Sequence, residues 1–299
     1  MSFFISSGNF QSTIIFEYLT SIGEEVFYLG KETTVTKNDT VFILYDTITT
    51  DTWLTIDQAQ SIVRFSSFYT DKSINLPNFS EIVDDSQSLL SLVINYMESI
   101  NDYSNESYYT KALKDIGYKL SLYQQYDMVT NYAGFLTGMA WYYLLNQYRG
   151  RSATQLIEML KIELSEDTAQ DILLYQLLNN IVSTVFSYAD AKAKQARLLL
   201  RDTIGVCVTL NEQYNNEVAY KLIHSCEQDG LLGIAIAVRP IRGFSSSVLT
   251  IRCSKQLDAL AIANHIGTKA KGNTHSAFCF YNESIDSLLQ RLETVTLVS

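Results

Sequence analysis

The sequence predicts an α/β protein: a parallel-sheet domain with a helical extension, then a long connecting helix, then a smaller C-terminal α/β domain. Three observations predict it. Short apolar runs of strand length alternate with helical spacing near both ends of the chain, the pattern of βαβ units. From Ser86 to Asp202 the periodicity is helical almost throughout. Only 2 Pro and 13 Gly among 299 residues argue against long linkers and against a loop-rich β protein.

In chain order, SFFIS at the start is a short strand. Gln11–Ile22 has helical spacing (Ile14, Ile15, Tyr18, Leu19, Ile22) and stops at Gly23, a natural C-cap. VFYL and TVFILY are apolar runs suited to buried parallel strands, and SIVRFSS is a fourth strand. Ser86–Ile100, Tyr109–Tyr126, Ala133–Tyr148 and Ala153–Leu164 read as helices. Thr168–Arg201 is a single periodic stretch without Gly or Pro, capped by Asp167 or Thr168, with Lys192, Lys194, Arg197 and Arg201 complementing its C-terminal dipole. After it, IGVCVTL, LLGIAIAV, SVLTIRCS and AFCFY are strands; Asn216–Cys226, Leu257–Ile266 (ending at Gly267) and Ile285–Leu292 are helices. These boundaries put the parallel-sheet domain at 1–165, the connecting helix at 166–202 and the second α/β domain at 203–299.

Composition narrows the function classes. The net charge is −10. Residues 1–200 hold 13 Lys and Arg against 23 Asp and Glu, whereas residues 201–299 hold 9 of each. Arg239, Arg242, Arg252, Lys255, Lys269 and Lys271 stand against Asp258 alone in 239–271. Such a chain is a poor generic binder of duplex nucleic acid but can hold a small anion at one place. Four cysteines without a CxxC pair fit a reduced, cytoplasmic setting better than a zinc site. The longest apolar stretch, Ile172–Phe186, is broken by Gln and Asn, so no membrane span is expected. The Tyr- and Asn-rich, Pro-poor composition fits a viral or mobile-element protein.

The segment SVLTIRCSKQLDALAIANHIGTKAKGNTHSAFCFY carries a resemblance. It is similar to the C-terminal substrate-binding domain of the DHH phosphoesterase superfamily, which includes RecJ-like nucleases, nano-RNases and cyclic-dinucleotide phosphodiesterases. Thr250-Ile251-Arg252-Cys253-Ser254 matches the family's strand ending in Ser-Leu-Arg-Ser. Asp258 to Ile266 matches the following helix, and Gly272 to Phe280 the glycine-rich loop and next strand. The loop His of the family falls on Thr274, with His275 one position on. NNEVAYKLIHSCEQDGLLGIAIAV also resembles the start of this domain. The N-terminal half then aligns: Ser7, Asn9 and Gln11 stand where the family carries His-x-Asp-x-Asp, Asp46 matches the Asp after the third strand, Phe65-Ser66-Ser67 stands for Asp-His-His, and Asp127 matches the last metal ligand.

The resemblance implies a dinuclear metal site of which only Asp46 and Asp127 remain. Neutral hydroxyls and amides do not hold paired divalent ions tightly. No cofactor is therefore expected, with weakly held Mg²⁺ or Mn²⁺ as the alternative. Asp46 also suits a turn or helix cap at the end of its strand. The basic C-terminal set is the stronger candidate: Arg252, Ser254, Lys269, Lys271, Thr274 and His275 form the expected ligand site, with backbone N–H groups of the Gly-Asn-Thr loop as an anion nest. The expected ligand is an anionic nucleotide or short oligonucleotide.

Three functions stay open from sequence. The first is a degenerate phosphoesterase homologue, a pseudoenzyme that binds such a ligand, regulates or sequesters. The second is a protein-interaction pseudoenzyme, partner-bound or homo-oligomeric, that docks through the tyrosine-rich middle (Tyr108, Tyr109, Tyr118, Tyr123, Tyr126, Tyr132, Tyr142, Tyr143). At helical spacing those rings are otherwise core packing. The third is an active phosphodiesterase with a reduced metal site around Asp46, Asp51, Asp71 and Asp127.

Overall fold

The computed structural model describes residues 2–6, 10–30, 33–44, 56–66, 76–101, 106–125, 131–148, 153–163, 172–201, 203–210, 214–241 and 246–294. The chain divides into two compact units, Met1–Val182 and Ser183–Ser299.

In the first unit, strands β1 (Ser2–Ile5), β2 (Glu25–Tyr28), β3 (Thr40–Leu44), β4 (Ser61–Ser66) and β5 (Phe79–Val83) form an all-parallel sheet in the order β2-β1-β3-β4-β5. Alternation along the strands splits their side chains between two faces. Phe3, Ile5, Phe42, Leu44, Val63 and Phe65 pack with Ile14, Ile15, Tyr18 and Leu19 of α1 (Ser12–Ser21) and with Leu90, Val93, Ile94 and Met97 of α2 (Leu89–Ile100). Phe4, Val41, Ile43 and Ile62 pack on the other face with Val35, Ile56 and Ala59. Burial on both faces is why β1, β3 and β4 read as continuous apolar runs; β2, expected from VFYL to be buried, is instead an edge strand that leaves Phe27 and Tyr28 exposed. Strand β5 escapes sequence reading because FSEIV is an edge strand with polar positions; Glu81 pairs in register with Arg64 of β4, at 3.3 Å.

The helical extension comprises α2, α3 (Tyr108–Gln124), α4 (Tyr132–Gln147) and α5 (Ala153–Glu163). Ser88, Ser107 and Asn131 cap α2, α3 and α4, each side chain accepting from a backbone N–H of the first turn. Tyr123 is buried against Phe135 and Tyr142, and Tyr142 meets the edge of Phe10. Tyr108, Tyr118 and Tyr132 remain exposed.

Helix α6 (Ile172–Ala193) carries the division between the units. It does not continue to Arg201. Lys194 and Gln195 turn, and Arg197–Arg201 is strand β6, paired antiparallel with β7 (Ile204–Leu210). A run of three leucines satisfies helix and strand periodicity alike, and the open sheet edge decides it.

The second unit is a mixed sheet in the order β10-β11-β9-β8-β7-β6, with β8 (Leu232–Pro240), β9 (Ser247–Cys253), β10 (Thr268–Gly272) and β11 (Ser276–Tyr281). Only β7 and β8 pair in parallel, joined through α7 (Asn215–Gln228). One face packs Leu249, Ile251, Cys253, Ala277 and Cys279 against α8 (Ala259–Ile266) and Leu288 of α9 (Ile285–Thr294). On the other, Cys207 and Ala235 lie under Val218, Ala219, Leu222 and Cys226 of α7. Gly233 allows that approach: a Cβ there would stand 2.8 Å from the Ile223 Cα. Gly267 ends α8 in extended backbone rather than in a left-handed cap. Its glycine is required by the next strand, since a Cβ would lie 2.5 Å from the Cys279 Sγ. No helix among the described residues is long and apolar enough to cross a membrane.

Candidate functional site

Two places in the chain collect chemistry-bearing residues. The first is the C-terminal edge of the parallel sheet. Strand β2 lies on one side of β1 and β3 to β5 on the other, so the order reverses between β1 and β3, where ligands bind in open α/β sheets. The described groups there are already engaged. Ser6 Oγ accepts from the Leu44 N–H at 2.9 Å, tying the ends of β1 and β3. Gln11 is buried and its Oε1 accepts from the Leu90 N–H at 3.0 Å, satisfying a donor in the first turn of α2. Ser66 is buried at the end of β4, and its carbonyl accepts from the Asp84 N–H.

Asp84, which sequence reading did not single out, sits after β5. Burial pushes its carboxyl up, but hydrogen bonds from the Ser86 hydroxyl, the Ser86 N–H and the Gln87 amide outweigh this and leave it below the ordinary carboxylate range. The Asp-Asp-Ser run before the Ser88 cap was the available signal, an Asx turn leading into a helix.

Among the described residues, no group of three or more His, Cys, Asp and Glu side chains could hold a metal ion. Neutral oxygens committed to backbone N–H groups do not fit a pair of divalent cations. Ser7, Asn9, Asp46, Asp51, Ser67, Asp71 and Asp127 lie outside the described residues.

The second place is the β9 and β10–β11 region of the mixed sheet. Arg252 stands in register opposite Ser276 of β11 and Ala235 of β8. Its Nε and Nη2 donate to Asn216 Oδ1 in the first turn of α7, at 3.1 and 2.8 Å. A neutral amide orients the guanidinium without cancelling its charge. Thr274 and His275 are exposed at the tip of the β10–β11 hairpin, directly before Ser276, so the structure brings them to the Arg252 end of the strands. Lys269 and Lys271 are exposed in β10, one strand beyond β11. Lys271 faces Phe278 in register; Lys269 occupies a bulge with φ 52°.

Two expectations for this region are corrected. Ser254 is buried, and its hydroxyl accepts from the Gly233 N–H and donates to Glu227 Oε1, at 2.9 and 2.7 Å. It ties β8, the end of β9 and α7 together instead of facing a ligand. The Gly-Asn-Thr loop is also not an open nest. Asn273 Oδ1 takes the N–H groups of His275 and Ser276, and the Asn273 N–H donates to the Ser276 carbonyl. A short hairpin must satisfy its own donors, and Asn is suited to do so. Gly272, at φ 143°, makes the turn possible; a Cβ there would stand 2.2 Å from the Ser276 carbonyl oxygen.

The architecture and the two sites define an α/β protein with a parallel-sheet unit followed by a mixed-sheet unit. The same arrangement occurs in solved structures, one of them a DHH domain. No family model and no curated protein matches the sequence. Among solved structures, the DHH domain of a member of a ribosomal-protein family aligns at TM-score 0.59 and 10% identity, over 100% of this chain and 87% of its own. A pGpG-specific phosphodiesterase from Vibrio cholerae aligns at 0.55 and 11%, over 98% and 96%. An exopolyphosphatase-related protein from Bacteroides fragilis aligns at 0.52 and 9%, over 98% and 90%.

Proposed function

We propose that this chain is a catalytically degenerate homologue of the DHH phosphoesterases that binds a nucleotide or short oligonucleotide through Arg252, with Lys269, Lys271, Thr274 and His275 around it. The observation that carries the reading is the Asn216–Arg252 pair: a half-buried guanidinium, held at two nitrogens by a neutral oxygen on the first turn of α7, is a pre-set cation for phosphate. The solved structures of this fold include a pGpG-specific phosphodiesterase. The engaged neutral side chains at the parallel-sheet edge support binding without turnover.

The test is calorimetric titration of the full chain with pGpG and with short oligonucleotides, next to a hydrolysis assay in Mg²⁺ or Mn²⁺. Binding without cleavage is expected, and Arg252→Ala should weaken it about 10- to 100-fold. Unchanged affinity in that variant removes the reading. Mn²⁺-dependent cleavage that Asp127→Asn abolishes restores the active enzyme.

A second reading, docking of a protein partner, is supported by Tyr118 and Tyr132, which are 55% and 51% exposed at the tyrosine-rich helices. A stoichiometric co-purifying protein released by Tyr118→Ala, with no nucleotide bound, would favour it.

A further inference from the structure

One face of the mixed sheet is only partly covered. Helix α7 packs over β7 and β8, where Cys207 and Ala235 lie beneath it. Beyond α7, the same face continues across β9, β11 and β10. Register and pleat put three rows of side chains there. The first is Ser276–Arg252–Ala235, the second Lys271–Phe278–Thr250–Ala237 and the third Thr268–Phe280–Val248–Arg239. None of Thr250, Arg252, Val248, Ser276, Phe278 and Phe280 reaches full burial. Phe278 is 39% exposed although its strand is flanked by β10 on one side and β9 on the other. An interior strand position that leaves an aromatic ring to solvent is unusual for a core residue, and Phe278 is absent from the hydrophobic core of its unit.

The charged residues of the three rows have one sign. Arg252, Lys271 and Arg239 border the rows, and no Asp or Glu occurs in them. Thr250 and Ser276 add hydroxyls on the same surface. Flat sheet, exposed ring and surrounding cations are the components with which proteins bind single-stranded nucleic acid: the ring stacks a base and the cations follow the backbone. Arg252 lies two residues along β9 from Thr250, the neighbour of Phe278, a step of about 7 Å. That step is comparable with the phosphate repeat of an extended single strand.

We propose that Phe278 is a base-stacking platform and that the ligand of this face is a single-stranded oligonucleotide, whose phosphate meets Arg252 while the adjoining base lies on Phe278. This rests on the anion-binding reading of Arg252 and narrows it, since a free phosphate or polyphosphate would make no use of the ring. An acidic protein segment would satisfy the cations but has no flat group to match Phe278.

The experiment measures binding of fluorescein-labelled single-stranded RNA and DNA pentamers by anisotropy, and of inorganic pyrophosphate by calorimetry, with the full chain and its variants. Phe278→Ala should weaken pentamer binding about 5- to 50-fold and leave pyrophosphate unchanged. Phe278→Leu should fail to restore the loss. Phe278→Trp should retain affinity and show indole quenching on addition of pentamer. Arg252→Ala should weaken both probes. The RNA and DNA arms decide which sugar is preferred. If Arg252→Ala loses both probes while Phe278→Ala binds the pentamer like the unaltered chain, the stacking role is wrong and the anion site stands. Restoration by Leu also overturns stacking. If the unaltered chain binds neither probe, both readings fall, and Phe278-dependent binding of a poly-glutamate peptide would then assign the face to protein.

Discussion

A glutamine amide is a weak holder of divalent cations but a good acceptor for a helix N-terminus, and Gln11 acts as the second. It is 5% exposed and takes the Leu90 N–H, which would otherwise be an orphan donor in the first turn of α2. The expected cost of Gln11→Ala is about 1–3 kcal/mol, because the buried N–H loses its partner. Urea unfolding followed by tryptophan fluorescence measures this, and a change below about 0.5 kcal/mol would show the contact to be idle. Arg252 is the contrasting case, since its acceptor Asn216 is neutral and the guanidinium charge survives the contact. The same residue scale explains what sequence reading found and missed at the site. Arg252 and the Thr274–His275 tip were named through a motif, and the structure puts them at one end of β9 and β11. The engagement of Ser254 with Gly233 and Glu227 was not, because those partners are 21 and 27 residues away and nothing local announces them.

At the scale of elements, the helices were legible except for the C-terminal limit of α6, and of the edge strands only β2 was. Helices α2 to α5 announce themselves through spacing and caps, with Ser88, Ser107 and Asn131 at the starts of the first three. Strands β5, β6 and β10 are short, at sheet edges, and rich in polar or basic residues, so their pairing depends on a neighbour rather than on their own pattern. Helix packing offers a sharper test. At Gly138 in α4 a Cβ would stand 1.9 Å from the Lys119 carbonyl oxygen of α3. Alanine is favoured over glycine by about 1 kcal/mol in a helix interior. The overlap is with backbone, which must move, and overpacking of this kind costs about 1–3 kcal/mol or more. Overlap should therefore win, and Gly138→Ala should destabilise the first unit by at least about 1 kcal/mol in the same urea measurement. A stabilised variant would mean that α3 and α4 do not approach this closely.

The two units close separate cores, and the chain happens to carry a reporter for each. Both tryptophans, Trp53 and Trp141, belong to the first unit, and Trp141 lies in its core. All four cysteines belong to the second, and all are buried and free. Burial, with Cys226 adjacent, pushes the Cys207 thiol up to about 12; burial alone takes Cys279 to about 11. Burial likewise raises Cys253 to about 12, with the Asp258 charge adding to it. Raised folded-state values mean that the thiols stay neutral and inert near pH 8, and that their contribution to stability is intact below the ordinary value of 9.0 and lost as pH rises toward about 12. Thiol labelling at pH 7.5 should thus report unfolding of the second unit alone, while fluorescence reports the first. Units with their own cores melt on their own terms. A stability difference of 1–2 kcal/mol separates urea midpoints by roughly 0.5–1 M at a slope of about 2 kcal/mol/M. Two units of unequal stability give two separate curves, and a substitution in one unit should move only its own curve. Gly138→Ala is expected to shift fluorescence and leave labelling in place. Gly233→Ala, whose Cβ would press on α7, is expected to shift labelling and leave fluorescence in place. If either variant moves both curves together, the chain unfolds as one cooperative body and the division within α6 has no energetic meaning.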